Sequence, residues 1–493
     1  MAEQAARHVT SLSQTAHRGV TNGLDSGQGN VTQMKHALFA STLALAVAGG
    51  WAMPAAAQSA ESLTVQQELA AMRAEMQRMS ARIDQLEGEL ATAQASAQAA
   101  TSAAETAQAT AAAAQASAAK APTIAFKGSP EVKGDKGWTF KPRGRLQYDA
   151  GSVSSPAGTG QGAGFTSEAR RIRIGATGEM PGGFGYKVEV DVTAGDVAVT
   201  DAIISYDAGG GLTISAGQMN NFQSMEELTS SLHTSMIERA SFTDAFGFIR
   251  QVGVAAEWTG GDVLVQAGLF SDNMDALPNK RRGADARVVF MPKLGKAQLH
   301  LGGSVHFKDL PEGSTLRYRQ RPLVRFTSDR FIDTRGLAAE NETGFGVEGA
   351  LISGPFHAAV EGHWRKIDRP GGLTDPTFFG GYAEAGVFLT KGDTRGYKDG
   401  KFDRTKPKNP VGNGGMGSLQ LNARYDFVDL SDAGILGGTQ NGYLLSLVWK
   451  PTDYTMLLAN YGRLEYDDAA LATVTGNRSY GVDSFGIRAQ IDF

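Results

Sequence analysis

The sequence predicts an all-β fold, a transmembrane antiparallel β-barrel of about 16 strands, preceded by an α-helical coiled coil. Three observations support this prediction: short alternating apolar and polar segments throughout residues 138–493, an early segment with the pattern of a secretory signal peptide, and a last alternating segment ending on Phe493. Strict alternation over a short segment indicates a strand with two different faces. In a soluble sandwich the apolar face would be the core, whereas in an outer-membrane barrel it meets lipid and the charged face lines water.

The alternation is clearest over residues 166–219, which carry four successive strand patterns. In each pattern the apolar residues share one face, and the opposite face carries charged or hydroxyl side chains. The apolar positions are Ile172, Ile174, Ala176, Tyr186, Val188, Val190, Ala202, Ile204, Tyr206, Leu212, Ile214 and Ala216. This pattern alone does not separate a sandwich from a barrel, so the ends of the chain decide.

The amino-terminal region is predicted to direct export. Residues 1–33 are polar without periodicity, and we interpret them as a non-native extension of the start. Residues 34–57 combine basic residues, an apolar run and the small residues Ala55, Ala56 and Ala57, which is typical of a signal peptide. The alternative is a membrane helix, but the run falls short of the ~20 apolar residues that spanning requires.

The composition excludes several classes of function. The chain contains no cysteine, which removes disulfides, thiolate metal sites and cysteine nucleophiles. A formal net charge of −4 gives no argument for binding nucleic acid. Glycine accounts for 62 of 493 residues, more than the usual share of about 7%, and this indicates many tight turns.

Residues 58–121 are predicted to form a coiled-coil helix. Apolar residues alternate in steps of three and four over three heptads, at Leu69, Met72, Met76, Met79, Ile83, Leu86 and Leu90. The alternatives are a lone helix or a flexible tether, but a lone helix would leave this apolar seam in water. Residues 122–137 begin with Pro122 and are predicted to be a linker.

Residues 138–493 are predicted to form the barrel. Candidate strands begin near residues 138, 166, 184, 197, 211, 250, 262, 283, 297, 343, 354, 379, 416, 441, 453 and 479. Short turns alternate with long connections, as expected for short periplasmic turns and longer outer loops. Connection 390–415 is an exception, because it is long on the short-turn side. The last strand is predicted to close against the first and to remove the sheet edge.

Four motifs of the barrel region resemble the phosphate- and polyphosphate-selective porin family (porin O/P). They are EARRIRIGATGEM (168–180), GQMNNFQSMEELTSSLHTSMIERA (217–240), VFLTKGDTRGYKDGKFDRTKPKNP (387–410) and SLQLNARYDFVDLSDAGILGGTQNGYLLSLVWKP (418–451). The resemblance covers about residues 138–493 and leaves residues 1–121 outside it. It implies a homotrimeric sixteen-stranded channel in the bacterial outer membrane, in which the third loop folds into the pore and arginines select anions. The coiled coil would then lie in the periplasm.

Cations alternate on the predicted inner face of three neighbouring strands: Lys141, Arg143, Arg145, Arg171, Arg173 and Lys187. Arginine suits phosphate because its planar guanidinium binds two oxygens and stays charged. The resemblance implies that Arg145 and Arg171 match arginines of the family, and Asp191 and Arg239 complete the predicted pore-lining set. In the alternative, the cations pair with Glu189, Asp191 and Asp201 across the strands without selecting anions.

The connection after the fifth strand, residues 219–250, is predicted to fold inside the barrel and narrow it beside Arg145 and Arg171. Its apolar residues would not stay in water, and loops of about thirty residues are usually functional or disordered. These apolar residues are Leu228, Leu232, Met236, Ile237 and Phe242.

Other chemistry-bearing patterns were rejected. The glycines of 412–417 match a dinucleotide fingerprint in letters only, because a strand should precede it and a helix should follow. His300 and His306, and His357 and His363, fall on strands separated by another strand, with no carboxylate at ligand spacing. We therefore expect no cofactor, no metal and no enzymatic activity.

The predicted function is passive diffusion of small anions across the outer membrane, phosphate or polyphosphate first among them. The predicted partners are the anion, outer-membrane lipid and two further copies of the chain, with the cell wall as a further candidate through the coiled coil. One alternative is a general porin of weak selectivity. Another is a structural tether between outer membrane and cell wall, and a third is an outer-membrane enzyme, against which the lack of a serine–histidine motif argues.

Overall fold

The computed structural model describes residues 58–120, 122–160, 164–195, 197–276, 278 and 280–493. The predicted extension and signal peptide, residues 1–57, lie outside the described residues. The chain divides into two units, Met1–Thr106 and Ala107–Phe493, and each is described by itself.

Helix α1 spans Gln58–Lys120, 63 residues. Polar side chains bond along it, for example Arg82 Nη1 to Gln85 Oε1 at 2.8 Å and Gln85 Nε2 to Glu89 Oε1 at 2.9 Å. The seven apolar residues of the predicted seam are about half exposed. Within the described part of the chain, no helix is both long enough and apolar enough to cross a membrane. The helix agrees with the predicted element, whereas its pairing into a coiled coil stays a prediction.

Sixteen strands among the described residues form one closed antiparallel barrel. They are β1 (Thr139–Ser154), β2 (Thr166–Met180), β3 (Phe184–Asp191), β4 (Ala198–Gly209), β5 (Leu212–Asn220), β6 (Arg250–Gly260), β7 (Val263–Phe270), β8 (Arg282–Phe290), β9 (Ala297–Asp309), β10 (Asn341–Ser353), β11 (Phe356–Asp368), β12 (Thr377–Phe388), β13 (Ser418–Asp432), β14 (Ile435–Thr452), β15 (Thr455–Asp467) and β16 (Tyr480–Asp492). Each strand pairs with the next, and β16 closes on β1 in a register that places Asp492 opposite Arg145. The predicted fold class is confirmed.

The two faces of the barrel wall follow the predicted alternation. Ile174, Val188 and Ile204 are exposed on the outside. Arg145 and Glu189, from the opposite face, are buried in the interior. An apolar outer surface with charges inside is the arrangement expected where the outer face meets lipid.

Short and long connections alternate, with two exceptions. Residues 389–417 form the long connection on the short-turn side that the sequence predicts. On the other side, Ala433 and Gly434 alone join β13 to β14. Both have positive φ, 51° and 81°, which suits a two-residue hairpin turn. The predicted start of β14 near residue 441 is therefore wrong, because this turn lets the strand begin at Ile435.

The segment predicted as a linker contains regular structure. Thr123–Phe126 and Pro130–Lys133 pair as an antiparallel hairpin, and a single turn of 3₁₀ helix follows at Asp135–Gly137. The second hairpin strand pairs with the start of β1. We call Thr123–Lys133 the amino-terminal hairpin.

Three connections fill the interior. The inserted loop, residues 221–249, contains the short helices α2 (Met225–Leu228) and α3 (Ser241–Ala245). The outer loop, residues 310–340, contains two small strand pairs, and the returning segment, residues 389–417, contains a hairpin, Gly396–Lys398 with Lys401–Asp403. Apolar residues of all three pack with inward-facing wall residues into one buried cluster. The core of this protein therefore lies inside the barrel.

Candidate pore constriction and vestibule

The inserted loop is buried by its apolar residues. Met236, Ile237 and Phe242 are at most 2% exposed. Phe242 stacks on the His363 ring of the wall, with ring centroids 4.4 Å apart. Of the apolar residues used to predict this packing, Leu228 is only partly buried.

Glu361 of β11 holds the start of α2. Its carboxylate accepts hydrogen bonds from the Ser224 hydroxyl at 2.8 Å and from the backbone N–H groups of Met225 and Glu226 at 3.1 and 2.7 Å. Backbone N–H groups at the start of a helix have no partner within the helix. The wall therefore supplies the acceptor that this end of the loop needs.

Two further wall residues hold the inserted loop on the same side. The guanidinium of Arg424 bridges Glu226 of the loop, at 2.9 Å, and Glu384 of β12, at 2.6 Å. The Asp426 carboxylate accepts from the Ser241 N–H at 3.0 Å. The loop is thus bound to β11–β13 by charge-assisted hydrogen bonds, which are stronger than neutral ones.

At another part of the wall, on β1, the loop meets the predicted arginine Arg145. Arg145 donates to the Ser231 hydroxyl at 3.0 Å and to the Glu189 carboxylate at 2.9 Å. The Gln147 side chain donates to the Ser231 carbonyl at 2.9 Å. The inserted loop therefore spans the lumen from β11–β13 to β1.

Glu238 of the inserted loop lies within a group of arginines. Its carboxylate is 2.6 Å from Arg170, 3.8 Å from Arg171 and 3.2 Å from Arg488. Burial alone would raise the pKa of Glu238, but the guanidiniums of Arg170 and Arg171 hold it below its ordinary value. Arg171 itself is buried and also donates to Gln147 at 2.9 Å. The carboxylate stays charged and fixes the loop to β2 and β16.

The remaining predicted cations of β2 and β3 are paired. Arg173 binds Glu189 at 3.2 Å and Asp191 at 2.8 Å, and Lys187 binds Asp201 at 2.7 Å. These are the pairs that the alternative interpretation of the sequence named. The basic wall is therefore a mixed wall in which each of these cations has a carboxylate partner.

The other three predicted residues lie in different surroundings. The Lys141 ammonium donates to the Lys127 carbonyl at 3.0 Å. Arg143 is partly buried and has no ion-pair partner within the described part of the chain. Arg239 belongs to the inserted loop and donates to the carbonyls of Glu226 and Thr229 at 3.0 and 2.7 Å.

A cavity of about 440 Å³ lies between the inserted loop, the outer loop and strands β2, β3, β4 and β6. Among the described residues, seven arginines line it: Arg170, Arg171, Arg173, Arg239, Arg250, Arg321 and Arg325. Five carboxylates accompany them: Asp191, Glu227, Glu238, Asp244 and Asp275. We call this cavity the arginine vestibule. Its excess of guanidiniums over carboxylates favours anions, and the carboxylates moderate that preference.

Sequence reasoning missed Arg170, Arg250, Arg321 and Arg325. Arg170 is the unpaired extra residue of a bulge in the β1–β2 pairing, so its side chain leaves the strict alternation and reaches Glu238. Arg321 and Arg325 lie on the outer loop, where no strand alternation indicates whether a side chain points into the lumen. Only the EARR motif held a signal for Arg170.

The returning segment also reaches the inserted loop. Arg395 donates to the His233 carbonyl and lies over the Phe402 ring. The Tyr397 hydroxyl lies 2.7 Å from His300 Nδ1, and the Gly400 carbonyl accepts from Arg287 at 2.7 Å. The returning segment therefore lies inside the barrel, where it contacts the inserted loop and strands β8 and β9.

His300, His306, His357 and His363 each contact a polar residue of the wall. His300 Nε2 is 3.0 Å from Glu348, and His306 Nδ1 is 2.5 Å from Asp285. Neighbouring strands supply these carboxylates, so spacing along one strand did not reveal them. Within the described part of the chain, no three such side chains are placed to hold a metal ion.

A closed barrel with an apolar exterior, a charged interior and an inserted loop defines an outer-membrane porin. The chain belongs to the phosphate-selective porin O and P family, whose model matches residues 140–493. The resemblance drawn from the four motifs is confirmed, and with it the outer-membrane channel.

Two relatives match over most of their length. An "uncharacterized protein" of Caulobacter vibrioides is 44% identical over 385 residues, covering 75% of this chain and 77% of the relative. Porin O of Pseudomonas aeruginosa is 25% identical over 392 residues, covering 70% of this chain and 87% of that protein.

Solved porins are similar in fold at low identity. The outer membrane channel DcaP of Acinetobacter baumannii is 14% identical, with a TM-score of 0.46, covering 73% of this chain and 99% of that one. The anion-selective porin from Comamonas acidovorans is 14% identical, with a TM-score of 0.44, covering 72% of this chain and 100% of that one.

Proposed function

We propose that the protein is a passive channel for small anions, phosphate or polyphosphate among them, selected at the arginine vestibule and at Arg145. The supporting observation is the vestibule itself, where seven guanidiniums meet five carboxylates beside the inserted loop. A channel selects ions through the sign of charge at its narrow part. Guanidiniums also bind phosphate oxygens in pairs.

The test is a planar-bilayer recording of the full channel in a potassium chloride gradient. Anion selectivity gives a reversal potential with the sign of chloride permeation, and added phosphate should lower the chloride current by competing for the guanidiniums. A reversal potential near zero, with no effect of phosphate, would favour a general porin instead. The pairing of Arg173 and Lys187 with carboxylates is the observation that supports this second candidate.

We further propose that residues 1–33 are a non-native extension, that residues 34–57 are a signal peptide and that residues 58–121 form a periplasmic coiled coil in a homotrimer. The half-exposed seam of α1 supports the coiled coil, because apolar side chains at heptad spacing are buried by packing against other helices. The alternative function, a structural tether between the outer membrane and the cell wall, would use this same helix.

Because the chain has no cysteine, the coiled coil can be tested with single cysteines in the full protein. Met76→Cys lies on the seam and should oxidise to a cross-linked product between chains. Ala74→Cys lies off the seam and is the matched control. Equal cross-linking at both positions would contradict the coiled coil, and native mass measurement would count the chains.

A further inference from the structure

The amino-terminal hairpin has one apolar face. Paired residues on neighbouring strands place their side chains on the same face of a sheet. Ile124 pairs with Val132, and Val132 pairs with Phe140 of β1. Phe126 lies two residues after Ile124 and so shares this face. Thr123 and Ala125 alternate with these residues and lie on the other face, where Thr123 pairs with Lys133 and Ala125 pairs with Glu131.

This apolar face continues the outer face of the barrel. Phe140, Leu146 and Tyr148 share one face of β1 and are all exposed on the outer side of the barrel. The register from Phe140 through Val132 to Ile124 extends that surface across two more strands. Ile124 is 61% exposed and Phe126 is 78% exposed. In water, such exposure of large apolar side chains would be unfavourable.

The hairpin lies at the level of an aromatic band. Exposed aromatic residues gather where strands meet the short turns: Phe140, Phe184, Trp258, Phe290, Phe356 and Phe493. Aromatic rings concentrate at membrane–water interfaces in this way. The hairpin pairs with the first residues of β1 at this same end.

The hairpin is fixed to the barrel. The Ser129 hydroxyl donates to the Pro142 carbonyl at 2.6 Å, and Ser129 is buried. Gly128 has a φ of 83°, and a Cβ there would lie 2.3 Å from the Tyr454 ring. The turn therefore holds the apolar face in one orientation.

Two hairpin lysines lie off the apolar face, Lys127 in the turn and Lys133 on the other face. The Lys127 and Lys133 side chains are more than half exposed, and the single carboxylate of Glu131 pairs with both, at 3.0 and 3.5 Å. The excess positive charge suits the phosphate groups of a phospholipid surface.

We infer that the amino-terminal hairpin is a membrane-surface anchor that inserts Ile124, Phe126 and Val132 into the periplasmic phospholipid leaflet of the outer membrane. The face is continuous with the lipid-facing barrel wall, and this continuity identifies the occupant as lipid. The anchor holds the chain that precedes β1 at the membrane surface, and it does not depend on the selectivity of the pore.

The test uses four single-cysteine variants of the full protein, each labelled with an environment-sensitive fluorophore and folded into phosphatidylethanolamine–phosphatidylglycerol vesicles. Ile124→Cys and Phe126→Cys probe the apolar face, and Thr123→Cys and Ala125→Cys are adjacent controls on the other face. Nitroxide-labelled lipid should quench the first pair at least about twofold more than the second. Aqueous iodide should show the reverse order.

Equal quenching at all four positions would overturn the inference. Protection of positions 124 and 126 from both lipid nitroxide and iodide would also overturn it, because protein would then cover the face. Unlabelled protein gives an independent readout: brominated lipid should quench less fluorescence in Trp138→Phe than in the parent, since Trp138 is exposed beside the hairpin. An unchanged quenched fraction would count against the anchor.

Discussion

The selectivity of the channel should respond most clearly to Glu189→Gln. Glu189 is 4% exposed and accepts from both Arg145, at 2.9 Å, and Arg173, at 3.2 Å. The substitution keeps the size of the side chain and removes one negative charge. Two guanidiniums beside the inserted loop then lose the carboxylate that they share, so the constriction gains a net positive charge.

The expected effect follows from Coulomb's law. For an ion about 7 Å from the lost charge, the energy is about 0.6 kcal/mol at a dielectric constant of about 80 and about 2.4 kcal/mol at about 20. These energies correspond to roughly threefold and roughly sixtyfold changes in the local concentration of a monovalent anion. Salt near 0.1 M screens over about 10 Å. We therefore expect a roughly three- to tenfold rise in the chloride-to-potassium permeability ratio.

The assay is the reversal potential of single channels in a potassium chloride gradient. Glu312→Gln, on an exposed part of the outer loop, is the matched control and should leave the ratio unchanged. Arg145→Gln combined with Glu189→Gln restores the net charge and should return the ratio toward the parent value. Heat-modifiable migration would establish that each variant forms a barrel. An unchanged ratio in Glu189→Gln, or an equal rise in Glu312→Gln, would refute the electrostatic reasoning.

Three further predictions follow from the site. Arg171→Glu places a second carboxylate near Glu238, whose own carboxylate is 3.8 Å from the Arg171 guanidinium, and should move the reversal potential toward cations. Lys280→Glu, at an exposed position, should hardly move the reversal potential. Equal shifts in the two variants would place the constriction elsewhere. Burial raises the pKa of Glu227, so lowering the pH neutralises this carboxyl before an ordinary one. Because the vestibule then loses a negative charge, anion selectivity should rise from pH 7 to pH 5. Glu227→Gln should flatten that pH dependence. Glu361→Ala leaves the donors at the start of α2 without their acceptor, which costs about 1–3 kcal/mol for each buried unsatisfied group. The inserted loop should then move more, and current noise in bilayer recordings should increase. A record as quiet as that of the parent would contradict the anchoring role.

The sequence alone determined the barrel wall. Alternation is a property of neighbouring residues in one strand, so Ile174, Val188 and Ile204 could be assigned to the outer face without knowledge of their partners. The inward direction of Arg145 follows for the same reason. The inserted loop was also predictable, because its apolar residues require burial wherever it folds.

The tertiary structure alone decided the ion pairs and the contents of the lumen. Arg488 binds Asp149 at 2.7 Å across 339 residues of sequence, a contact that exists only because the last strand closes on the first. The returning segment carries no periodic pattern, and its place depends on partners such as Arg287, which donates to the Gly400 carbonyl. The local pattern determines which face of the wall a side chain lies on. Its ion-pair partner depends on how the barrel closes and on how the loops fold inside it.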